Sequence, residues 1–270
     1  MKFFSDFFKA VGNCFKAFSI LFEKGLWHFM FYPLIIWLAL WIASIYGFMS
    51  LASYISKWLS GYVSAESIPE SGHWLSFARP LLLGNIGFII TWILNVVFWL
   101  ISGTFVKYVL LMVLSPVFAL LSEKTDEKLT GANFPFNLKQ LLKDVLRGIA
   151  ISFRNMILEY FFIVVCFLMN LFFPPSFFIT TPFLFLLGWY FIGFSLMDYN
   201  SERYKYGFSQ SIKFIKQNRG YACGIGFVYS LFMALPFIIG DAIGIMFGTT
   251  VAVIGATLGF LQLTDKKINK

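Results

Sequence analysis

The chain has 270 residues, 59% of them hydrophobic and 13% charged, with a formal net charge of +8. Its mean hydropathy is +0.78, and a soluble fold, in which roughly a quarter of the residues are charged, has no way to hide that much apolar surface. A soluble globular protein is excluded. The basic excess belongs to membrane topology rather than to nucleic acid, because Lys and Arg collect in cytoplasmic loops beside anionic lipid.

Residues 2–18 place Phe3, Phe4, Phe7, Phe8, Val11, Phe15 and Phe18 at helical spacing, with Lys2, Asp6, Lys9, Asn13 and Lys16 opposite. The pattern predicts an amphipathic helix lying in the membrane interface; a partner-binding helix is the other reading. Asp6, Lys9 and Lys16 interrupt any signal-peptide core, so insertion is expected to rely on internal spans. The first span is predicted over about 31–55, where no Asp, Glu, Lys or Arg occurs and Pro33 sits near the entry, a position helices tolerate.

A polar connection over 57–80, containing His73, leads to a second span over about 81–106. Lys107 is the only charge in the whole stretch from Leu81 to Leu121. After Ser115-Pro116 the chain turns polar as SEKTDEKLTG. Leu138, Leu141, Leu142, Val145, Leu146, Ile149 and Phe153 then trace one helical face, with Lys139, Lys143, Asp144 and Arg147 on the other, which predicts an amphipathic helix on the membrane or capping the bundle.

Tyr160 to Met197 carries no charge but is broken by Pro174-Pro175, and two prolines in series end a helix. A helical hairpin over about 156–197 is expected, with its tip at Pro174-Pro175-Ser176. A basic segment follows, and a second hairpin is expected over about 221–263, interrupted by Pro236 and Gly240-Asp241. Arms of roughly 17–22 residues sit at the lower limit for crossing, so full crossing and dipping in and returning both fit. The expected fold is an all-α integral membrane protein, a single polytopic domain over 1–270 with two long transmembrane helices, two helical hairpins and amphipathic interfacial helices.

Lys and Arg number four before Gly25, two in 57–80, seven in 107–155, five in 198–220 and three in the tail. Two spans and two hairpins put nineteen on one side against two, which places both termini in the cytoplasm.

Chemistry-bearing motifs are scarce. Cys14, Cys166 and Cys223 are widely spaced in apolar surroundings and read as small buried hydrophobes. The sequence has no HExxH, no Gly-Lys-Ser phosphate loop and no GxSxG, so no catalytic residue, metal or cofactor is expected and an enzyme is disfavoured. Lys107, Asp198 and Asp241 are the ionisable groups nearest apolar segments. Lys107 can snorkel to the interface or face a pore, Asp198 can cap a helix, and Asp241 sits at a predicted turn. Asn85, Asn95 and Asn170 suit interhelical hydrogen bonds, with Asn95 also a pathway candidate, and Gly84, Gly87 and Gly103 suit close helix packing.

Four pieces, GLWHFMFYPL from Gly25, LSPVFALLSEKTDEKLTG from Leu114, LGWYFIGFSLMDYNSERYKYGFSQSIKFIKQNRGYACGIGF from Leu187 and IGATLGF from Ile254, resemble the CysZ-type membrane proteins. These are grouped with the eukaryotic etoposide-induced membrane proteins. The resemblance implies a bacterial inner-membrane protein that moves sulfate inward, two long transmembrane helices, two partly penetrating hairpins and a homo-oligomer. It also implies that a Gly-Leu-Arg sequence before the first span receives the anion. Here Gly25, Leu26 and Trp27 match it, with His28 next, and these four are the candidate substrate-binding residues.

Trp27 offers one neutral N–H where an arginine offers a charged fork. His28 replaces that charge only when protonated, below its ordinary pKa of about 6.5. A helix N-terminus near Gly25 would attract an anion through its dipole. The function expected is a channel or permease for sulfate or a related small anion, with the lipid bilayer as the other partner. The alternative is a membrane scaffold of the same fold that binds lipid or partners without transport.

Overall fold

The computed structural model describes residues 2–62, 92, 105–132, 138–201, 204, 206–234 and 242–264. The expected second span falls almost wholly outside these residues, as do His73, Gly84, Asn85, Gly87, Asn95, Gly103 and Asp241. All regular structure among the described residues is helical.

Helix α1 (Lys2–Glu23) runs to a short 3-10 turn at Trp27–Met30, and α2 (Phe31–Tyr62) follows directly with Pro33 in its first turn. Helix α3 (Phe105–Val113) bends by 58° into α4 (Ser115–Thr130), whose start carries Pro116 and whose end is closed by Gly131 at φ 72°. Proline fits the first turn of a helix and ends the one before it, so Ser115-Pro116 accounts for the bend.

Helix α5 (Leu138–Phe172) is one continuous helix of 35 residues. The amphipathic segment and the apolar arm that the sequence divides are thus successive parts of a single rod, because no proline separates them. The chain breaks at the 3-10 turn Pro174–Ser176 and returns as α6 (Phe177–Ser201). Asn170 Oδ1 accepts from the hydroxyls of Ser176 at 2.7 Å and Thr180 at 2.9 Å, tying the two sides of the break together.

Helix α7 (Phe208–Gln217) leads into α8 (Arg219–Met233), and a π-helical turn at Gly244–Gly248 opens α9 (Thr249–Leu263). Among the described residues, four stretches are long and apolar enough to cross a bilayer: Trp27–Ile55, Leu138–Phe172, Pro174–Ser201 and Gly244–Leu263.

The chain forms two compact units. One comprises Leu38–Lys107, and in it the apolar side chains of α2, such as Tyr46 and Tyr54, are exposed, as a lipid-facing helix requires. The other comprises Met1–Trp37 and Tyr108–Lys270, and α9 is its centre: every residue from Thr249 to Leu261 is buried. Helices α1, α4, α6 and α8 pack on it. Close approach of α6 and α8 rests on two glycines, since a Cβ at Gly193 would lie 1.8 Å from the Ala222 carbonyl and one at Gly226 equally close to that of Trp189. Small residues at such crossings let backbones meet where lipid offers no hydrophobic drive for association.

Helix α1 is a structural member of this unit. Its buried side is Asp6, Ala10, Asn13, Cys14, Ala17 and Leu21, while Phe4, Phe8, Phe15 and Phe22 face outward. Asn13 Nδ2 donates to Tyr221 Oη and to Gln262 Oε1, each at 2.8 Å, joining α1 to α8 and α9. The expectation that Asp6 and Asn13 line a solvent-facing stripe with the lysines is corrected: the helix has three faces, not two. Lys9 and Lys16 are exposed, Phe4, Phe8, Phe15 and Phe22 are exposed elsewhere, and the side with the small residues, Asp6 and Asn13 is inside.

Candidate functional site

The four residues singled out before the first span share one turn. Gly25 stands at φ 72°, the left-handed region that only glycine enters freely. Its N–H donates to the Phe22 carbonyl at 3.3 Å, and the Leu26 N–H donates to Leu21 at 2.9 Å. This pair of bonds is the Schellman ending of a helix, and the accompanying apolar contact is supplied by Leu26 and Leu21, both buried. The amides of Gly25 and Leu26 are therefore spent on closing α1.

The next two amides differ. The first bond of the 3-10 turn is from Phe29 N–H to the Leu26 carbonyl at 3.0 Å, so the N–H groups of Trp27 and His28 have no carbonyl within the turn to receive them. Trp27 is 52% exposed and His28 is exposed beside it, with ring centroids 6.4 Å apart and edge-on. Trp27 also meets Phe31 edge-on at 6.0 Å, and His28 tilts against Phe29 at 4.6 Å. The turn thus presents two backbone amides, an indole and an imidazole, with exposed Lys24 next in sequence. All of these but the lysine are neutral hydrogen-bond donors.

Of the pathway candidates, Lys107 lies in α3 and is half-buried. It belongs to the Leu38–Lys107 unit, whereas the Gly25–His28 turn belongs to the other. Asn95 falls outside the described residues.

Sequence reasoning missed a buried polar seam along α5 and α6. Arg147 grips Asp198 with two donors, Nη2 to Oδ1 at 3.0 Å and Nε to Oδ2 at 3.3 Å, and its Nη1 donates to the Tyr206 carbonyl at 2.6 Å. Ser211 Oγ also donates to Asp198. Asp198 is buried in the last turn of α6, so the expected helix-capping role gives way to an ion pair, and Arg147 turns inward rather than lying on the polar outer face.

Further along, Asn155 Nδ2 donates to Ser195 Oγ at 3.0 Å, and Tyr108 Oη donates to Glu159 Oε2 at 2.5 Å. Towards α9, Ser122 Oγ bonds Asn200 Oδ1 at 2.7 Å and receives the Thr257 hydroxyl at 3.3 Å. Helical spacing was the available signal: Gly148, Ser152, Asn155 and Glu159 recur every three or four residues on α5, and Asp198 and Tyr199 follow Ser195 by three and four on α6.

The fold defines an all-α, polytopic membrane protein, and the Gly25–His28 turn stands at the start of one of its long apolar stretches. The family described as "Sulfate transporter CysZ/Etoposide-induced protein 2.4" matches residues 13–239. The chain belongs to this family. It is also similar to a "Sulfate transporter CysZ" from Pseudomonas paraeruginosa, at 25% identity over 178 residues, which cover 64% of this chain and 72% of that protein.

Proposed function

We propose that this member of a sulfate transporter family is a channel or permease for sulfate or a related small anion. It acts as a homo-oligomer in a bacterial inner membrane, with both termini in the cytoplasm. The observation that carries the reading is the family match over 13–239, which takes in the whole turn from Gly25 to His28. The amides of Trp27 and His28, which no carbonyl of the turn receives, supply donors of the right kind, and the basic segments raise the local concentration of anions. The sequence holds no nucleotide-binding motif, so the flux is passive or coupled to an ion.

The second reading, a non-transporting scaffold that binds lipid or partners, is favoured by Trp27, which stands where the resemblance places an arginine. Ligand-dependent stability separates the two. A ligand that binds only the folded state raises its unfolding midpoint, so sulfate should raise it where chloride at equal ionic strength does not. Trp27→Arg should enlarge the sulfate shift. Equal midpoints in both salts for both proteins would favour the scaffold.

A further inference from the structure

A cavity of about 670 Å³ opens between α1, α6, α7 and α8, all within one compact unit. Its volume lies in the range of ligand sites. The walls change character along its length. Phe183, Leu186 and Leu187 of α6 and Phe3 of α1 form an apolar trough; Tyr190, one and two turns further along α6, adds a phenol; Lys216 and Arg219 stand at the end. From Phe183 to Tyr190 the trough runs about 10 Å at the helical rise.

Both cations are exposed and neither is ion-paired among the described residues, and a third lies close: Lys2 Nζ reaches Asn218 Oδ1 at 3.5 Å, one residue before Arg219. The N-terminus of α8 adds its positive dipole end at the same place.

A greasy groove with one cationic end fits neither a free inorganic anion, which has no use for the apolar trough, nor bulk acyl chains, which have no use for the cations. It fits a molecule with a phosphate at one end and hydrocarbon at the other. The segment 198–220, to which Lys216 and Arg219 belong, carries five of the chain's Lys and Arg and is placed by charge on the cytoplasmic face. There the trough descends from headgroup level towards the hydrocarbon as α6 runs back to its proline turn. Basic pockets between membrane helices on that face recognise anionic lipid headgroups.

We propose that this groove is a binding site for an anionic glycerophospholipid. The phosphate is held by Lys216 and Arg219 with the Tyr190 hydroxyl, and one acyl chain lies along Phe183, Leu186 and Leu187 against Phe3. The lipid thereby bridges α1 to the α6–α8 pair. The site is independent of the transport reading.

The test uses the full chain in mixed micelles of phosphatidylglycerol or of phosphatidylcholine with the same acyl chains, with retained lipid counted by native mass spectrometry. Phosphatidylglycerol should be retained and phosphatidylcholine lost. Lys216→Ala with Arg219→Ala should lower retention roughly 10- to 30-fold, the effect of two basic side chains at a lipid surface. Leu187→Trp, which fills the trough and leaves both cations, should lower it by a similar factor. Because Lys216 and Arg219 are exposed, the charge variant keeps its fold, and an unchanged midpoint in phosphatidylcholine verifies this. Equal retention of both lipids would overturn the proposal, as would native retention in either variant. So would displacement by millimolar phosphate or sulfate, which would mark a free-anion site, or a lipid-free dimer with the groove protected, which would mark a second copy as the occupant.

Discussion

Gly25 shows how much of the candidate site depends on one backbone conformation. A Cβ there would meet nothing within 4 Å, so the obstacle to substitution is the left-handed φ of 72° alone. Gly25→Ala should cost about 1–2 kcal/mol, read as a lower thermal midpoint in detergent, and should misdirect the Trp27 and His28 amides that follow. The pair Arg147–Asp198 makes the opposite case, in which side chains set the cost. Asp198→Ala leaves a buried guanidinium uncompensated and should destabilise by about 3–5 kcal/mol, whereas Arg147→Met combined with Asp198→Leu should recover most of the loss. If the double variant is as unstable as the single one, the pair is not what holds α5 to α6.

Cys14 has a third kind of control: burial pushes its thiol from 9.0 up to about 12. The folded state therefore holds the thiol protonated where the unfolded chain would ionise it. That contribution to stability is complete below about pH 9 and is lost as pH rises towards 12. Maleimide at pH 9 should modify Cys14 only after denaturation.

At the scale of elements, the proline pair, the apolar runs and the amphipathic stripes are legible in the sequence, because each is a local pattern. Which face of α1 is buried is not. Its phenylalanines look like the inner face by any soluble-protein rule, yet Ala10, Cys14 and Ala17 are inside, because in a bilayer large apolar side chains face lipid while small ones permit helix contact. Arg147 and Asp198 were equally opaque, since 51 residues separate them and only the α5–α6 register brings them together.

The hairpin of α5 and α6 carries a further expectation. Between Glu159, tied to Tyr108, and the proline turn, α5 extends about 20 Å, less than the roughly 30 Å of hydrocarbon. At the turn, Phe172 is 83% and Phe178 82% exposed, which suits lipid and not water. The account predicts a tip that stops inside the bilayer. In a chain freed of native cysteines, Phe178→Cys should resist a membrane-impermeant thiol reagent from both sides, and labelling from outside would show full crossing instead.

For the molecule as a whole, being apolar enough to cross a bilayer is not the same as facing lipid. The stretch Gly244–Leu263, made of the π-helical turn and α9, is long and apolar enough to cross a bilayer, yet α9 is enclosed by α1, α4, α6 and α8. Charge and hydropathy do not tell an enclosed apolar helix from a lipid-facing one; the small residues of α9, Gly255, Ala256 and Gly259 among them, are the signal that does. The family, the helical class and the multi-pass character were legible from ordered motifs and composition. The polar seam was not, being built from single residues on separate helices. Transport is the central claim, and radiolabelled sulfate uptake into proteoliposomes, native chain against Trp27→Arg and empty vesicles, tests it most directly. The account predicts uptake by the native chain above empty vesicles, increased by Trp27→Arg as a charged fork joins the backbone amides. If folded, reconstituted protein of neither kind exceeds the empty vesicles, the transport reading is contradicted and the scaffold takes its place.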